Sequence, residues 1–363
     1  MKIPFLDLEQ QYESIKSEIK ESINNVLDNR NFINGPETKS FEKNFLEVHG
    51  AKYGKGCSNG TSAITIALRS LNIGPGDEVI TATNTFFATI EAIAEVGAKI
   101  VLVDCDADTY SICPKHVQEV VNEKTKAIIP VHLYGNPCDM DAITKIANEH
   151  NLYIIEDCAQ AHLASFKGQA VGTFGEAGSF SFYPGKNLGA YGDAGFTICN
   201  SPELEKKISM HINHGRTLKY EHEFLAGNYR IDEIQSAILN VKTKYIAEWT
   251  QKRIEAAKYY DSKLSDKFKV IKRLDDVKAV YHLYVIEVEN RDKVLKSLKE
   301  AGISCGIHYP IPLHLQPACK QLGYKLGDFP VAEESSKRLL SIPIFPEITR
   351  EQQDFVIENL LKI

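Results

Sequence analysis

Apolar side chains at Ile15, Ile19, Ile23 and Val26, with charged residues between them, share one face of a helix. This spacing predicts a helix from about Leu8 to Leu27 that ends near Asn29. Between Lys55 and Cys199 the pattern changes. Short apolar runs at Glu78–Ala82, Lys99–Asp104, Ala127–Val131, Leu152–Glu156 and Ser179–Tyr183 alternate with stretches of helical period. Strands alternating with helices predict an α/β body built on a mostly parallel sheet, with its functional crevice at the strand carboxyl ends. A helical pattern resumes from Asp232 to about Lys267. A shorter α+β segment follows, with an apolar run at Val280–Val288, a helix near Arg291–Ala301 and another run at Ile303–Tyr309. Frequent prolines from Pro310 to Pro346 predict loops there rather than a long sheet.

The length of 363 residues agrees with a large unit followed by a smaller one, at about 150 residues per domain. With 43% hydrophobic and 25% charged residues the chain can close a core, and global disorder is excluded. A formal net charge of −6 supplies no whole-chain positive field for nucleic acid. The eight cysteines are scattered, with no C-x-x-C pair and no histidines at zinc spacing, so free thiols and no metal site are expected. No apolar run is long enough to span a membrane, and the start Met1-Lys2-Ile3-Pro4-Phe5-Leu6-Asp7 turns acidic too early for a signal peptide. Together these features point to the cytoplasm.

Nucleotide-binding words are the first chemistry to test on such a sheet. The nearest approach to G-x-G-x-x-G is Gly54-Lys55-Gly56-Cys57-Ser58-Asn59, which lacks its last glycine, and no Walker loop occurs. Three other stretches carry more. Cys57-Ser58-Asn59-Gly60-Thr61-Ser62-Ala63 precedes the helical run Ile64–Leu71, and small residues at a helix start can cradle a phosphate. The same word is also a good N-cap. The run Leu152–Glu156 leads into Asp157, Gln160 and His162, and a carboxylate at the end of a buried strand is costly unless a cation faces it. A protonated heterocyclic nitrogen would be such a cation; an N-cap is the alternative. Finally, Ser179–Tyr183 leads into Pro184-Gly185-Lys186-Asn187-Leu188-Gly189, where a lysine stands in a turn that a bulky group can approach. Such a lysine can form a Schiff base, although most lysines are solvated surface charges.

A phosphate cradle, then Asp157, then Lys186 at 29 residues further on is the order of pyridoxal phosphate enzymes of the aspartate aminotransferase fold, also called fold type I. Over essentially its whole length the sequence resembles the DegT/DnrJ/EryC1/StrS family of nucleotide-sugar aminotransferases. The matching words are I-P-F-L-D-L at Ile3, I-N-G-P-E at Ile33, S-N-G-T-S-A at Ser58 and G-P-G-D-E-V-I at Gly74. Further along they are I-E-D-C-A-Q-A-H at Ile155, S-F-Y-P-G-K-N-L-G-A-Y-G-D-A-G at Ser181, N-Y-R-I-D-E-I-Q at Asn228 and H-Y-P-I-P at His308.

The resemblance implies a mixed, mostly parallel sheet flanked by helices, with a pyridoxal-phosphate domain over 1–240 that includes the N-terminal helix and a smaller α+β domain over 241–363. It makes Lys186 the Schiff-base lysine and proton shuttle, and pairs Asp157 with the pyridinium nitrogen. Gln160 is expected at the cofactor's 3-hydroxyl and Phe86 stacked on its ring, although plain core packing is the other reading of Phe86 and Phe87. Gly60, Thr61, Ser62 and Ser181 are expected around the phosphate. Asn228 is expected to reach the phosphate of a neighbouring subunit, which implies a homodimer with shared sites. Substrate contacts are expected from Tyr183, His214, Arg216, Tyr220, His308 and Tyr309, against the alternative that the His214–Tyr220 stretch is an ordinary surface loop.

The resemblance implies L-glutamate as amino donor and a nucleotide-linked keto sugar as acceptor. The word F-Y-P-G-K-N-L-G resembles the branch that aminates C3 of dTDP-linked 3-keto-6-deoxyhexoses, giving dTDP-3-amino-3,6-dideoxyhexoses for surface polysaccharide or glycosylated metabolites. Branches acting at C4 carry a different context after the lysine, and those making a 3-amino UDP-uronic acid place Ser-Lys-Pro there. An enzyme for UDP-linked sugars or for C4 is the alternative, and a non-catalytic regulatory homologue a further one. The dehydratase branch replaces the lysine with histidine, which Lys186 contradicts.

Overall fold

Seven strands make the central sheet of the computed structural model, which describes residues 1–362. They are β1 (Tyr53–Cys57), β2 (Glu78–Ala82), β3 (Lys99–Val103), β4 (Thr125–Ile129), β5 (Tyr153–Asp157) and two later strands, Ala177–Ser181 and Gly195–Cys199. Their spatial order is β1, Gly195–Cys199, Ala177–Ser181, β5, β4, β2, β3. From β3 across to Ala177–Ser181 all neighbours are parallel, and Gly195–Cys199 runs against both of its neighbours. The sheet is therefore mixed but mostly parallel, and its parallel strands are near-continuous apolar runs because helices cover both faces.

Alternation in the strand Ala177–Ser181 and the residue after it decides what reaches the crevice. Phe180 and Phe182 point into an aromatic core with Phe41, Phe45 and Phe196, with the Phe45–Phe180 and Phe45–Phe182 centroids both 5.2 Å apart. Ser181, between them, turns to the other face, as a two-residue period requires. In register, Ser181 and Cys57 both pair with Gly195, so the end of β1 and the end of Ala177–Ser181 meet at one glycine. A Cβ there would stand 2.3 Å from the Asn59 carbonyl oxygen, so only glycine allows this approach.

Helix α1 spans Leu8–Asn29, closed by Arg30 in the left-handed conformation, so the predicted end holds. Helix α2 (Pro36–His49) and strand β1 escaped the periodicity reading. Strand β1 carries Gly54 and Gly56, which look like loop residues; here a Cβ at Gly54 would meet Phe196 at 2.5 Å and one at Gly56 would meet Ile231 at 2.9 Å. The glycines serve close packing rather than a turn.

A smaller antiparallel sheet joins Lys269–Val270, Tyr284–Glu287 and Leu339–Ile342. It shares a core with Tyr260, Leu298, Val356 and Leu360, and Ile3 from the N-terminus joins this core and pairs with Ile303. The long helical stretch after Asp232 is two helices, Glu233–Thr243 and Ile246–Leu264. The first packs between α1 and α2, the second against the C-terminal helix Arg350–Leu361, so each half follows a different partner. The loops expected over Pro310–Pro346 also need correction, because the helix Pro330–Arg338 and the strand Leu339–Ile342 lie inside that span. Pro330 stands at the helix start, where its missing N–H costs nothing, and proline there begins an element instead of breaking one. No helix among the described residues is long and apolar enough to cross a membrane.

Candidate active site

The carboxyl ends of the parallel strands open into a cleft of about 900 Å³. Helix α3 (Gly60–Ser70) points its N-terminus into it. The Asn59 side chain caps that helix, its Oδ1 accepting from the Ser62 amide at 2.8 Å. The capping role and the anion-binding role therefore coexist. The Gly60 and Thr61 amides have no acceptor among the described residues, and they lie where the helix dipole favours an anion. Ser181 closes the cradle, since a Cβ on Gly60 would come within 2.6 Å of the Ser181 Cβ. Gly60, Thr61, Ser62 and Ser181 all line the cleft.

Asp157 is the last residue of β5 and is 6% exposed. Its two oxygens are held separately. Thr89 donates its hydroxyl to Oδ2 at 2.8 Å, and the Ala159 amide donates to Oδ1 at 3.1 Å. Both donors fix the carboxylate's rotation while leaving it facing the cleft. Thr89 comes from helix α4 (Ala88–Glu95), some distance away in sequence, and nothing in the word I-E-D-C-A-Q-A-H announces it. Thr89→Val is expected to leave the fold intact and lower turnover by about tenfold, the scale of one charge-assisted hydrogen bond of roughly 1.5 kcal/mol. Steady-state kinetics beside a thermal melt check this, and unchanged kinetics would remove Thr89 from the site.

Lys186 stands in the turn after the strand Ala177–Ser181. Its amide donates to the Tyr183 carbonyl at 2.8 Å, and Gly189 closes the turn so tightly that a Cβ would lie 2.3 Å from the Pro184 oxygen. Asn187 ties the turn to the Val280 carbonyl at 3.0 Å, and buried Lys242 donates to the Gly189 carbonyl at 2.5 Å. The Lys186 amine itself has no hydrogen-bond partner among the described residues. Burial lowers its pKa to about 8, opposed by the charge of Asp157.

Gln160 is clamped at both ends, accepting from the Tyr134 amide at 2.6 Å and donating to the Tyr309 hydroxyl at 3.1 Å. Phe86 is 54% exposed and tilts against Tyr309 with ring centroids 5.6 Å apart, so it is a cleft wall and not core. Tyr183 and His308 line the same cleft. His162, singled out beside Gln160, is fully buried against Phe45, Phe180 and Phe182, and burial drives its pKa to about 3. The remaining predicted contacts, Asn228, His214, Arg216 and Tyr220, are not brought to this cleft within one chain. They lie together around the strand pair Arg216–Leu218 and Glu221–His222, where Asn228 bridges to Asn213.

Sequence reasoning missed Arg253 and His282, which also line the cleft. Each comes from the C-terminal third of the chain, where neither residue sits in a recognisable word.

A second buried cluster, His132, Glu156 and Cys158, has ligand atoms within 4.8 Å of one another. Its lone pairs are already engaged. Glu156 Oε2 accepts from the Gly172 amide at 2.7 Å and faces His132 Nε2 at 3.0 Å, and Oε1 accepts from the amides of Phe174 at 2.8 Å and Gly175 at 3.2 Å. His132 Nδ1 accepts from the Cys138 amide at 3.1 Å. Burial raises the Cys158 thiol to about 12. The cluster is a brace under β5.

Residues 13–361 match the DegT/DnrJ/EryC1/StrS aminotransferase family. A Geobacillus stearothermophilus protein named pleiotropic regulatory protein is 46% identical, covering 99% of this chain and 98% of its own. The dTDP-3-amino-3,6-dideoxy-alpha-D-galactopyranose transaminase of Aneurinibacillus thermoaerophilus is 43% identical over 98% of both chains. A UDP-N-acetyl-3-dehydro-alpha-D-glucosamine 3-aminotransferase from Acidithiobacillus ferrooxidans is 41% identical over 96% of this chain and 95% of its own. Among solved structures, S. venezuelae DesV matches with a TM-score of 0.97 at 38% identity, covering 99% of this chain and 98% of that one. Bacillus subtilis NtdA with bound cofactor PMP matches with a TM-score of 0.92 at 32% identity, covering 99% and 85%.

Proposed function

Because the chain belongs to the DegT/DnrJ/EryC1/StrS aminotransferase family and its cofactor is pyridoxal phosphate, we propose that it transfers an amino group from L-glutamate to C3 of a dTDP-linked 3-keto-6-deoxyhexose. The products are a dTDP-3-amino-3,6-dideoxyhexose and 2-oxoglutarate. The observation that carries the catalytic reading is the meeting of Lys186, Asp157 and the free amides of α3 in one cleft. These residues fit the cofactor chemically. Free amides and hydroxyls suit a phosphate, a fixed carboxylate suits a protonated ring nitrogen, and an unpartnered amine suits an aldehyde carbon.

In this reading Gly60, Thr61, Ser62 and Ser181 would hold the phosphate, Asp157 would keep the ring nitrogen protonated, Gln160 would meet the 3-hydroxyl and Phe86 would cover the ring. The cofactor, when bound, supplies an electron sink and carries the amino group between the two halves of the reaction. Lys186 Nζ would move the proton to and from the substrate carbon that bears the amine. Its pKa of about 8 keeps both protonation states populated near neutrality, which a shuttle needs. Tyr183, His308 and Tyr309 form the substrate's side of the cleft.

Asn228, His214, Arg216 and Tyr220 enter the reading through a second copy of the chain. We assign them to the partner's cleft in a homodimer, with Asn228 at the partner's phosphate. Support comes from the apolar surface one chain leaves uncovered, including Tyr220 at 81% and Leu225 at 103% exposure. Asn228→Ala is expected to weaken cofactor retention about tenfold without unfolding the protein, read by dialysis and absorbance. A monomer by light scattering that keeps full activity would remove the shared site.

The C3 assignment is supported by two relatives whose names both place an amine at that carbon, although one is dTDP-linked and the other UDP-linked. A panel of 3-keto and 4-keto sugars on both nucleotides, offered to the protein converted with L-glutamate, tests it. Reaction with the dTDP-linked 3-keto-6-deoxyhexose at a kcat/KM at least tenfold above the others is expected. A preference for any 4-keto sugar overturns C3, and a preference for a UDP-sugar overturns the nucleotide. The name of the Geobacillus relative supports a regulatory reading, which predicts no turnover with any of these sugars. We divide the work between residues 1–240, which hold the cofactor, and residues 241–363, which close the cleft. We place the protein in the reducing cytoplasm, where its eight cysteines, all unpaired in the structure, would stay so.

A further inference from the structure

Glu95, the last residue of α4, lines the cleft with both of its carboxylate oxygens engaged. Oε2 accepts from the Thr65 hydroxyl at 3.0 Å, and Oε1 accepts from Arg69 Nη2 at 3.2 Å and from the Tyr229 hydroxyl at 3.1 Å. Arg69 Nη1 donates in turn to the Tyr229 oxygen at 3.0 Å, so that hydroxyl accepts once and donates once and the three side chains close a ring. The side chains of Arg69 and Glu95 are 30% and 41% exposed, and an ion pair that open to solvent adds little stability. Its consequence is geometric. The ring of contacts fixes Tyr229 against α3, which carries Thr65 and Arg69, and against the end of α4.

Tyr229 belongs to a short arm, 227–230, whose backbone is anchored along its length. The His214 amide donates to the Gly227 carbonyl at 2.9 Å, Asn228 bridges to Asn213, the Tyr229 amide donates to the Ile212 carbonyl at 2.9 Å, and Arg230 bridges to Cys57, two residues before Asn59. Arg230 Nη1 also donates to Asn213 Oδ1 at 2.8 Å. The Tyr229 ring folds so closely over Gly227 that a Cβ there would stand 2.3 Å from it. Within this fixed backbone the Asn228 side chain is exposed and makes no hydrogen bond among the described residues. A locked backbone that presents a free amide is preorganised for a group outside its own chain, since little order remains to be imposed on binding.

We propose that the Tyr229 hydroxyl, held between Arg69 and Glu95, is a positioning group that aims Asn228 at the cofactor phosphate of the partner subunit. This rests on the shared-site reading above and adds what aligns it. The backbone bridges hold the arm to β1 and to the end of the helix Pro202–Ile212. The hydroxyl ties it to α3 and α4, the helices that bring Gly60, Thr61 and Ser62 to the phosphate cradle and Thr89 to Asp157. Each chain's arm and its own cradle therefore share one frame, and the arm is aligned before a second chain meets it.

The test uses cofactor-loaded dimers and reads retention of the lysine-bound cofactor by dialysis and absorbance. Tyr229→Phe, which keeps the ring over Gly227, should raise the cofactor's dissociation constant about fivefold with thermal melting unchanged, and Arg69→Met should do the same. Added to Asn228→Ala, Tyr229→Phe should cause no further loss, because the hydroxyl acts through that amide. Hybrid dimers then locate the defect. A Tyr229→Phe chain paired with a Lys186→Ala chain should hold its cofactor as the wild type does, since an unaltered arm completes the site that keeps Lys186. A wild-type chain paired with a chain carrying both substitutions should show the fivefold loss. Additive losses, a defect that stays in the substituted chain's own site, or a Tyr229→Phe protein that retains the cofactor like the wild type overturn the proposal. Should Arg69→Met fail to fold, Tyr229→Phe decides. If Asn228→Ala retains the cofactor fully, the shared-site reading itself fails and takes this inference with it.

Discussion

Replacing Lys186 with alanine is expected to reduce transamination by roughly 10⁴-fold or more, because one amine carries both the attachment of the cofactor and the proton transfers. The fold should survive. The turn that presents Lys186 is held by Asn187, Lys242 and Gly189, through contacts that do not involve the Lys186 side chain. Thermal melting close to that of the wild type, together with lost turnover and lost absorbance of the lysine-bound cofactor, is the expected combination. Lys186→Arg keeps a cation but removes the nucleophile, and it should be equally inactive. An alanine variant that retains even a hundredth of the rate would refute the central role of this residue.

The same amine has a testable pH dependence. Burial lowers its pKa from 10.5 to about 8, so the neutral, nucleophilic form is present at lower pH than for a surface lysine. In cofactor-free protein, labelling of Lys186 by an amine reagent, followed by peptide mass spectrometry, should rise with pH around a midpoint near 8. A midpoint near 10.5 would show that the cleft does not desolvate it.

The largest expected loss of stability comes from Glu156. Removing its carboxylate by Glu156→Ala strands the buried amides of Gly172, Phe174 and Gly175 and the ring of His132 together. Unpairing one member of a buried charged network costs about 3–5 kcal/mol, far above the roughly 1 kcal/mol of an ordinary substitution. Denaturant or thermal unfolding measures it, and a loss under about 1 kcal/mol would show that the brace is dispensable. Glu156 is the residue next to Asp157 on β5, so the surviving folded fraction should also show a weakened hold on the cofactor.

Particular words of the chain were legible because their geometry is local. Asn59-Gly60-Thr61-Ser62 announces a helix start, and the Asn59 cap is closed by residues three apart in sequence. Ser181 between Phe180 and Phe182 declares its face through a two-residue period. The helix Pro330–Arg338 is not legible in the sequence, because a proline at a helix start looks the same there as one that breaks a helix. β1 was hidden for a related reason, since Gly54 and Gly56 are explained only by Phe196 and Ile231, more than a hundred residues away.

By itself the sequence determined the order of chemistry, an anion cradle, then a strand-end carboxylate, then a lysine in a glycine-bounded turn, because adjacency along the chain dictates caps, turns and strand faces. The tertiary structure decided the rest. It brought Thr89 to Asp157, Tyr134 and Tyr309 to Gln160, and Arg253 and His282 to the wall beside Lys186. It also left Asn228 and Arg216 outside the cleft of their own chain. Desolvation and Coulomb energy depend on distance and burial in space and not on position in the chain. The residues that tune Lys186 therefore emerge only when the chain is folded.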